Sequence, residues 1–475
     1  MSARAAALWC ATALGAGAVA RLIPCFGDFW LDEIWTYFTA RGLASPWEVF
    51  TSIHDSNNNH LNTLLVYIFG DRTFWPAYRV PSLLAGVGGV GLATGIAWRR
   101  GRLEAVFTAL LFSACFALLH FSSEARGYAL AVFFALAAYW ALERELERKT
   151  RWGAPLFGIC TVLGFLSHLT FLFFYAGALV QSAWRSWGGR GAAAPRLLAL
   201  ARLHLAPVAC LLALYWLDLR QLSVGGGYPT DFQQLLARTF GFTFGLPVVR
   251  GFGLAYTALA VAVLIPALRL LRREGSDEWL LHLVTIVLAP LLVLAVMQPQ
   301  VVAVRYFLIG IAFYLLLASY LLADLYRRGG WRRGLGLAAV ALFLLGNANH
   351  TAAFLRLGRG GYLDALEFMA HHTAGTRVVV GSDHDFRNGM VLRFYARHLP
   401  AGKRLVYAAR GSRPPGGPDW LITHYPARPT ATPTTIRDPA GNAYRLAADF
   451  DHGAISGFYW AVYRNASETS GAGGG

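Results

Sequence analysis

The sequence predicts an α-helical polytopic membrane protein of about eleven transmembrane helices, followed by a C-terminal extracytoplasmic α/β domain. Three observations carry this. Hydrophobic residues make up 56% of the 475-residue chain and charged residues only 14%. The charges cluster, leaving apolar runs of about twenty residues, enough to cross a bilayer as helix. Beyond residue 356 the composition shifts to short segments of alternating strand and helix type.

Apolar runs place spans at 5–26, 78–98, 103–119, 125–143, 153–166, 168–184, 197–217, 251–271, 279–297, 302–324 and 333–349. The 153–184 stretch is divided at Ser167-His168, since one unbroken helix would be too long for a bilayer and would hold the histidine at mid-membrane. Arg4 followed by alanine-rich sequence has the look of a signal peptide, but many further spans follow, so an uncleaved first helix is expected. Alternate loops, 98–102, 143–151, 184–196, 272–273 and 327–333, are short and rich in arginine, which marks them as cytoplasmic. The loops 27–77, 120–124, 218–250 and 298–301, with the Ser167 break, then face the other side. An odd number of spans sets the N-terminus inside and the C-terminal domain periplasmic or extracellular.

The first outer loop, 27–77, has structure of its own. Ile34, Trp35, Phe38, Trp47, Val49 and Phe50 recur at helical spacing, as in short helices lying in the aromatic-rich interface. The segment 61–69 is another interfacial or re-entrant helix. The domain plan is a membrane domain at 1–350, a soluble domain at 356–466 and a disordered tail at 467–475. Within the soluble domain, helices are expected at 362–372 and 389–398 and strands at 377–381, 404–408 and 420–423, with closing antiparallel strands at 444–450 and 458–463.

The formal charge of +16 suggests nucleic acid, but the basic groups are scattered through short loops, with no basic helix or basic aromatic face. Cys10, Cys25, Cys115, Cys160 and Cys210 fall in or beside apolar segments without metal-type spacing, so neither a disulfide framework nor a zinc site is expected. There is no Walker-type glycine loop; Gly225-Gly-Gly227 lacks the following lysine and reads as a hinge. Asp383-His384-Asp385 ends a strand and reads as a capping turn ahead of a metal site.

The chemistry points to the first outer loop. Asp32-Glu33 and Asp55 are carboxylates beside a membrane surface, where ionisable groups cost energy and mark working sites. Their bland alternatives are a helix cap for the pair and an ordinary turn for Asp55 with its asparagines. An acidic pair directly after a first span resembles the signature of the GT-C glycosyltransferases, multi-span enzymes that take sugars from polyprenyl-phosphate carriers. The resemblance is to the protein mannosyltransferase and aminoarabinose-transferase branch. It extends, in order, to Asp55 through Asn59, His60 and Leu61, then Tyr78-Arg79-Val-Pro81-Ser82 and Ser123-Glu124-Ala125-Arg126-Gly127-Tyr128. His168 and Arg305-Tyr306 complete the set, which covers roughly the first two-thirds of the chain. His60-Leu61-Asn62 departs from it, because that branch often has proline and aromatic residues there.

The resemblance implies an inverting transfer from a polyprenyl-phosphate monosaccharide to an extracytoplasmic lipid, glycan or protein acceptor; the dense arginine, the expected lack of disulfides and the alternating loops point to a bacterial inner membrane. Such a transfer needs a carboxylate to take the acceptor's proton and cations to stabilise the departing phosphate. Asp32 is the first choice as base, with Glu33 or Asp55 second. Arg126 and Arg305 suit the phosphate, with Arg79 weaker, since an arginine fork donates in parallel and stays charged. His60, His168, Asn59, Tyr128 and Tyr306 are candidates for contacts to sugar or phosphate. No nucleotide is required; Asp32-Glu33 would suit a divalent cation, though the branch often works without one. The rivals are a transporter or flippase of lipid-linked glycans, which should show internal repeats or paired broken helices, and a non-catalytic envelope scaffold. No such repeat is present in the sequence.

Overall fold

The computed structural model describes residues 1–148, 150–187, 193–223, 227, 229–453 and 455–469. The chain forms two compact units: Met1–Cys25 with Thr39–Thr351, and Phe26–Phe38 with Ala352–Gly475.

The first unit is helical. It opens with α1 (Ala3–Leu22), and the first-loop helices follow: α2 (Leu31–Gly42, which begins in the other unit), α3 (Glu48–Thr51) and α4 (His60–Phe69). Next come α5 (Val80–Arg100), α6 (Arg102–Ala114), α7 (Phe116–Ser122), α8 (Tyr128–Arg148), α9 (Gly153–Ser167) and α10 (Phe171–Trp187). The remainder is α11 (Ala193–Leu217), α12 (Phe232–Phe244), α13 (Gly253–Arg273), α14 (Glu278–Leu283), α15 (Ala289–Met297), α16 (Leu308–Arg328) and α17 (Gly330–Leu357, which ends in the other unit). A π-helical turn, Val284–Leu288, joins α14 to α15.

Helices stand at all eleven predicted stretches, yet among the described residues seven are long and apolar enough to cross a membrane, or eight with α6 and α7 as one bent span. The shortfall has local causes. The end of α8 carries Glu143, Arg144 and Glu145. The 15 residues of α9 and 17 of α10 rise about 22 and 25 Å, less than the roughly 30 Å hydrocarbon core. The loop at 218–250 also contains α12, which the apolar-run reading passes over because its polar face breaks the run. Of the expected hinge, Gly225 and Gly226 lie outside the described residues.

The bend between α6 and α7, 59° at Cys115, leaves helix-end groups to satisfy inside an apolar bundle. Buried Arg21 of α1 donates to the carbonyls of Phe112 (2.7 Å) and Ser113 (3.0 Å), and Asn347 Oδ1 accepts the Phe116 N–H at 2.7 Å. The most enclosed membrane-length helix is α16, 72% buried over its apolar window against 39% or less for the others. It is the axis on which α6, α8, α10 and α13 pack.

The second unit is a mixed sheet with helices. It comprises α18 (Tyr362–His371), β1 (Arg377–Ser382), α19 (Asp385–Tyr395), β2 (Arg404–Tyr407), β3 (Trp420–Tyr425), β4 (Thr435–Arg437), β5 (Ala443–Phe450), β6 (Tyr459–Asn465) and α20 (Ala466–Thr469). The strand order is β2-β1-β3-β6-β5-β4, with β1 parallel to β2 and β3 and the rest antiparallel. Every expected strand is present and β4 is added. Helix α19 starts at Asp385, four residues before the expected 389, because His384 caps it: its Nδ1 accepts the Arg387 N–H at 3.3 Å. Helix α20 stands where a disordered tail was expected from 467; residues 470–475 lie outside the described residues.

The first-loop segment Phe26–Phe38 is part of this unit. Phe29 donates its N–H to Tyr395 Oη at 2.6 Å, and the same hydroxyl donates to the Phe29 carbonyl at 3.1 Å. Asp28 Oδ2 accepts the Leu363 N–H at 3.0 Å. Phe29 and Tyr37 lie against Phe394, and Trp35 against Phe386, with ring centroids 5.1–5.7 Å apart. Phe29, Trp30 and Tyr37 are almost completely buried.

Candidate functional site

The site in the helical unit grows from the turn between α7 and α8, residues 123–127. Three side chains from other elements hold its backbone. Asn62 Nδ2 donates to the Ala125 carbonyl (2.8 Å), Ser82 Oγ to the Arg126 carbonyl (2.9 Å), and Asn59 Oδ1 accepts the Gly127 N–H (3.0 Å). Gly127 is obligatory for a packing reason, since a Cβ there would sit 1.9 Å from the Ser167 carbonyl oxygen. His120 Nε2 and Glu124 Oε1 form a fully buried pair 3.0 Å apart beneath the turn. The sequence motif at 123–128 is therefore a packed platform for one side chain, Arg126.

Arg126 is 2% exposed. It donates to the Asn57 carbonyl at 2.8 Å and to Tyr128 Oη at 3.4 Å, and its guanidinium lies 5.6 Å from the Tyr128 ring centroid. The Tyr128 ring is 5.0 Å from the His168 ring, which is 6.0 Å from the Tyr306 ring. The Arg305 guanidinium lies 5.6 Å from the Tyr306 centroid. A row thus runs Arg126, Tyr128, His168, Tyr306, Arg305, with a cation at each end.

His168 occupies the break between α9 and α10. Its Nδ1 accepts the Thr170 N–H at 3.2 Å and meets Thr170 Oγ1 at 2.8 Å, which assigns the ring proton of the neutral form to Nε2. Burial first, then the charges of Arg126 and Arg305, hold its pKa down to about 3. At neutral pH it is an uncharged donor between two cations. Arg238 of α12 joins the group: burial lowers its guanidinium pKa and the nearby charge of Arg305 lowers it further. Like charges gathered in a low-dielectric setting suit an anion, to which arginine makes its strongest, charge-assisted hydrogen bonds.

Asp55 lies in the same unit. Burial raises its pKa, while the Asn57 N–H (2.8 Å to Oδ1) and the charge of Arg126 oppose the rise. Its segment pairs with Ser223: Ser56 donates to the Ser223 carbonyl (3.1 Å) and Ser223 to the His54 carbonyl (2.8 Å). Asp218, 1% exposed just past α11, receives His54 Nδ1 and His60 Nε2 at 2.8 Å each. His60 also stacks on Phe50 at 5.5 Å.

The predicted residues thus divide. Arg126, Arg305, His168, Tyr128 and Tyr306 come together, with Asp55 in electrostatic reach of Arg126. Asn59 and His60 hold backbone and carboxylate from within the scaffold. Fully buried Arg79 donates to the Cys25 and Pro24 carbonyls at 2.9 and 3.3 Å, closing the end of α1. Asp32 and Glu33 stand in the first turn of α2, in the unit with the sheet. Glu33 is 1% exposed and its Oε2 accepts the Trp30 N–H at 3.3 Å, as a capping acid does. His54, Asp218 and Arg238 were missed. Asp218 was visible as the first acid after a long apolar run, and Arg238 as the cation of an amphipathic segment.

In the sheet unit, Asp383-His384-Asp385 is spent on structure. Asp383 Oδ1 meets His424 Nδ1 at 2.8 Å, His384 caps α19, and Asp385 accepts Tyr407 Oη at 2.8 Å. Among the described residues no three His, Cys, Asp or Glu side chains are grouped as metal ligands would be.

No family model matches the chain, and no curated protein matches it in sequence. Its fold is similar to that of solved structures of ArnT. The crystal structure of ArnT from Cupriavidus metallidurans bound to undecaprenyl phosphate is similar over 98% of this chain and 99% of that one, with a TM-score of 0.55 at 14% identity. The apo state of that protein is similar over the same shares, with a TM-score of 0.55 at 13% identity.

Proposed function

We propose that the protein is an integral membrane glycosyltransferase that takes a sugar from a polyprenyl-phosphate donor and transfers it to an extracytoplasmic acceptor with inversion. The observation that carries this reading is the row from Arg126 to Arg305 through Tyr128, neutral His168 and Tyr306. It lies in a fold shared with ArnT, a protein solved with undecaprenyl phosphate bound. In the proposed step the acceptor's nucleophilic atom attacks the anomeric carbon as the bond from that carbon to the phosphate oxygen breaks. A carboxylate removes the acceptor's proton, and polyprenyl phosphate leaves with its charge held by the arginines and by His168 Nε2–H.

Asp32 is the proposed base, since Glu33 is committed to its own helix end; Asp55 is the second choice. The arginine-rich loops support a multi-pass protein of the bacterial inner membrane, N-terminus inside, with the acidic loop and sheet domain on the outer face. The test is sugar transfer in proteoliposomes with a panel of polyprenyl-phosphate sugars, comparing Asp32→Asn, Glu33→Gln and Asp55→Asn at matched expression. The expected result is that Asp32→Asn binds donor and does not turn it over. If all three variants matched wild type, the enzyme reading would fall and lipid translocation would be assayed instead.

A further inference from the structure

At the other end of α16 lies a second constellation, in which a polar mouth opens onto an apolar cavity. The cavity, about 500 Å³, is lined by apolar side chains of α6, α12, α13, α16 and α17. Its one polar side chain, Tyr314, is satisfied by the Ala260 carbonyl at 3.2 Å. It runs along α16 from Tyr314 to Leu325, about 16 Å of helix, close to the depth of one leaflet of a roughly 30 Å core.

The mouth, about 280 Å³, is lined by Arg269 and Arg273 of α13, Asp324 and Arg328 of α16, and Arg332 at the start of α17. Pro266, Leu321 and Leu325 line both spaces, so one continues into the other. Pro266 lies inside α13, where its missing N–H and its ring interrupt the helical ladder beside the groove. Four arginines meet a single carboxylate, and that one, Asp324, is engaged by Arg328 at 2.6 Å. Arg332 lies over the ring of Trp331, a residue type that favours the headgroup level.

We propose that this is a binding site for one anionic phospholipid, with its phosphate among Arg269, Arg273 and Arg332 and an acyl chain in the apolar cavity. Basic pockets between membrane helices suit such headgroups, and a cavity apolar over one leaflet's depth suits a chain and not a polar solute. The occupant is a phospholipid of the bilayer and not the polyprenyl-phosphate donor. The 21 residues of α16 separate the mouth from Arg305 by about 30 Å, so a phosphate held here cannot be the reacting one.

The test is native mass spectrometry of the full chain, purified in detergent and offered phosphatidylglycerol or phosphatidylcholine with identical acyl chains. Phosphatidylglycerol should be retained at least about tenfold better, since each headgroup–arginine pairing is worth about 1 kcal/mol, roughly fivefold, and three arginines are offered. High salt should erase that preference in the unaltered protein, a control that needs no variant. The combined Arg269→Gln, Arg273→Gln and Arg332→Gln change should bring phosphatidylglycerol down to the phosphatidylcholine level. Ala339→Trp, which fills the cavity and leaves the arginines in place, should lower retention of both lipids. Equal retention of the two lipids by wild type, wild-type retention by the triple variant, or displacement by undecaprenyl phosphate at equal concentration would each overturn the proposal.

Discussion

Replacing Arg126 with glutamine is the sharpest test of the arginine row. The guanidinium is buried, held over Tyr128 and committed on one side to the Asn57 carbonyl at 2.8 Å. A charge-assisted hydrogen bond to a bound phosphate is worth roughly 1.5–3 kcal/mol net, which at about 1.4 kcal/mol per decade is roughly a 10- to 150-fold loss of donor affinity. Glutamine can still donate one bond toward Asn57, so folding stability should fall by only about 1 kcal/mol. His168 gives an internal check. Arg126 is one of two cations that depress its pKa, so the imidazole should titrate at higher pH in the variant, with burial and Arg305 still holding it below the ordinary value. Binding is read with labelled undecaprenyl phosphate in proteoliposomes, and the imidazole by NMR of histidine-labelled protein. Arg126→Lys keeps the charge and loses the fork, so it should fall between the two. Wild-type affinity in Arg126→Gln, with an unchanged unfolding temperature, would refute the assignment of this residue to the phosphate.

Other outcomes follow from the same geometry. Gly127→Ala sets a methyl 1.9 Å from the Ser167 oxygen; it should cost about 2 kcal/mol or more by forced displacement, seen as a lower unfolding temperature together with weakened donor binding. Asp218→Ala strips His54 and His60 of a buried shared carboxylate and should destabilise the helical unit by about 3 kcal/mol; an unchanged denaturation midpoint would count against that role. Because the folded pKa of His168 is about 3, below its unfolded value, the unfolded chain binds the proton first. Stability should therefore fall as pH drops from about 6.5 toward 3, and His168→Gln should blunt that fall while leaving the pH–rate profile above pH 5 unchanged in shape. Tyr395→Phe removes both bonds to Phe29 and should loosen the first loop, seen as faster limited proteolysis near residue 30.

The legible part of the molecule is the part written in local sequence. Long apolar runs declared the membrane helices, and the ordered motifs at 123–128, 168 and 305–306 indicated side chains that meet in space. The strands of the sheet were visible as short β-branched and aromatic segments such as Arg377–Ser382. The span count was less legible, because α8 ends in charges and α9 and α10 are short. Residues that act through distant partners left the faintest trace. Asp218 meets His54 across 164 positions and His60 across 158, and neither pairing has a period or a spacing to betray it. Likewise, nothing local indicates that Phe26–Phe38 belongs with the sheet, since its ties to Leu363 and Tyr395 span 335 and 366 residues.

Those two ties also set an order of events during synthesis. Phe29 and Asp28 leave the ribosome early, while Tyr395 and Leu363 are made more than 300 residues later. Until then the segment's aromatic side chains have no partners of their own unit to cover them, and contacts of such separation close slowly. The acidic helix start at Asp32 and Glu33 is thereby tied to synthesis of α18 and α19. A copy cut short before the sheet would carry the carboxylates without the packing that orients them. The fold thus ties maturity of the segment Phe26–Phe38 to helices α18 and α19, so a product truncated before them would leave this segment unorganised.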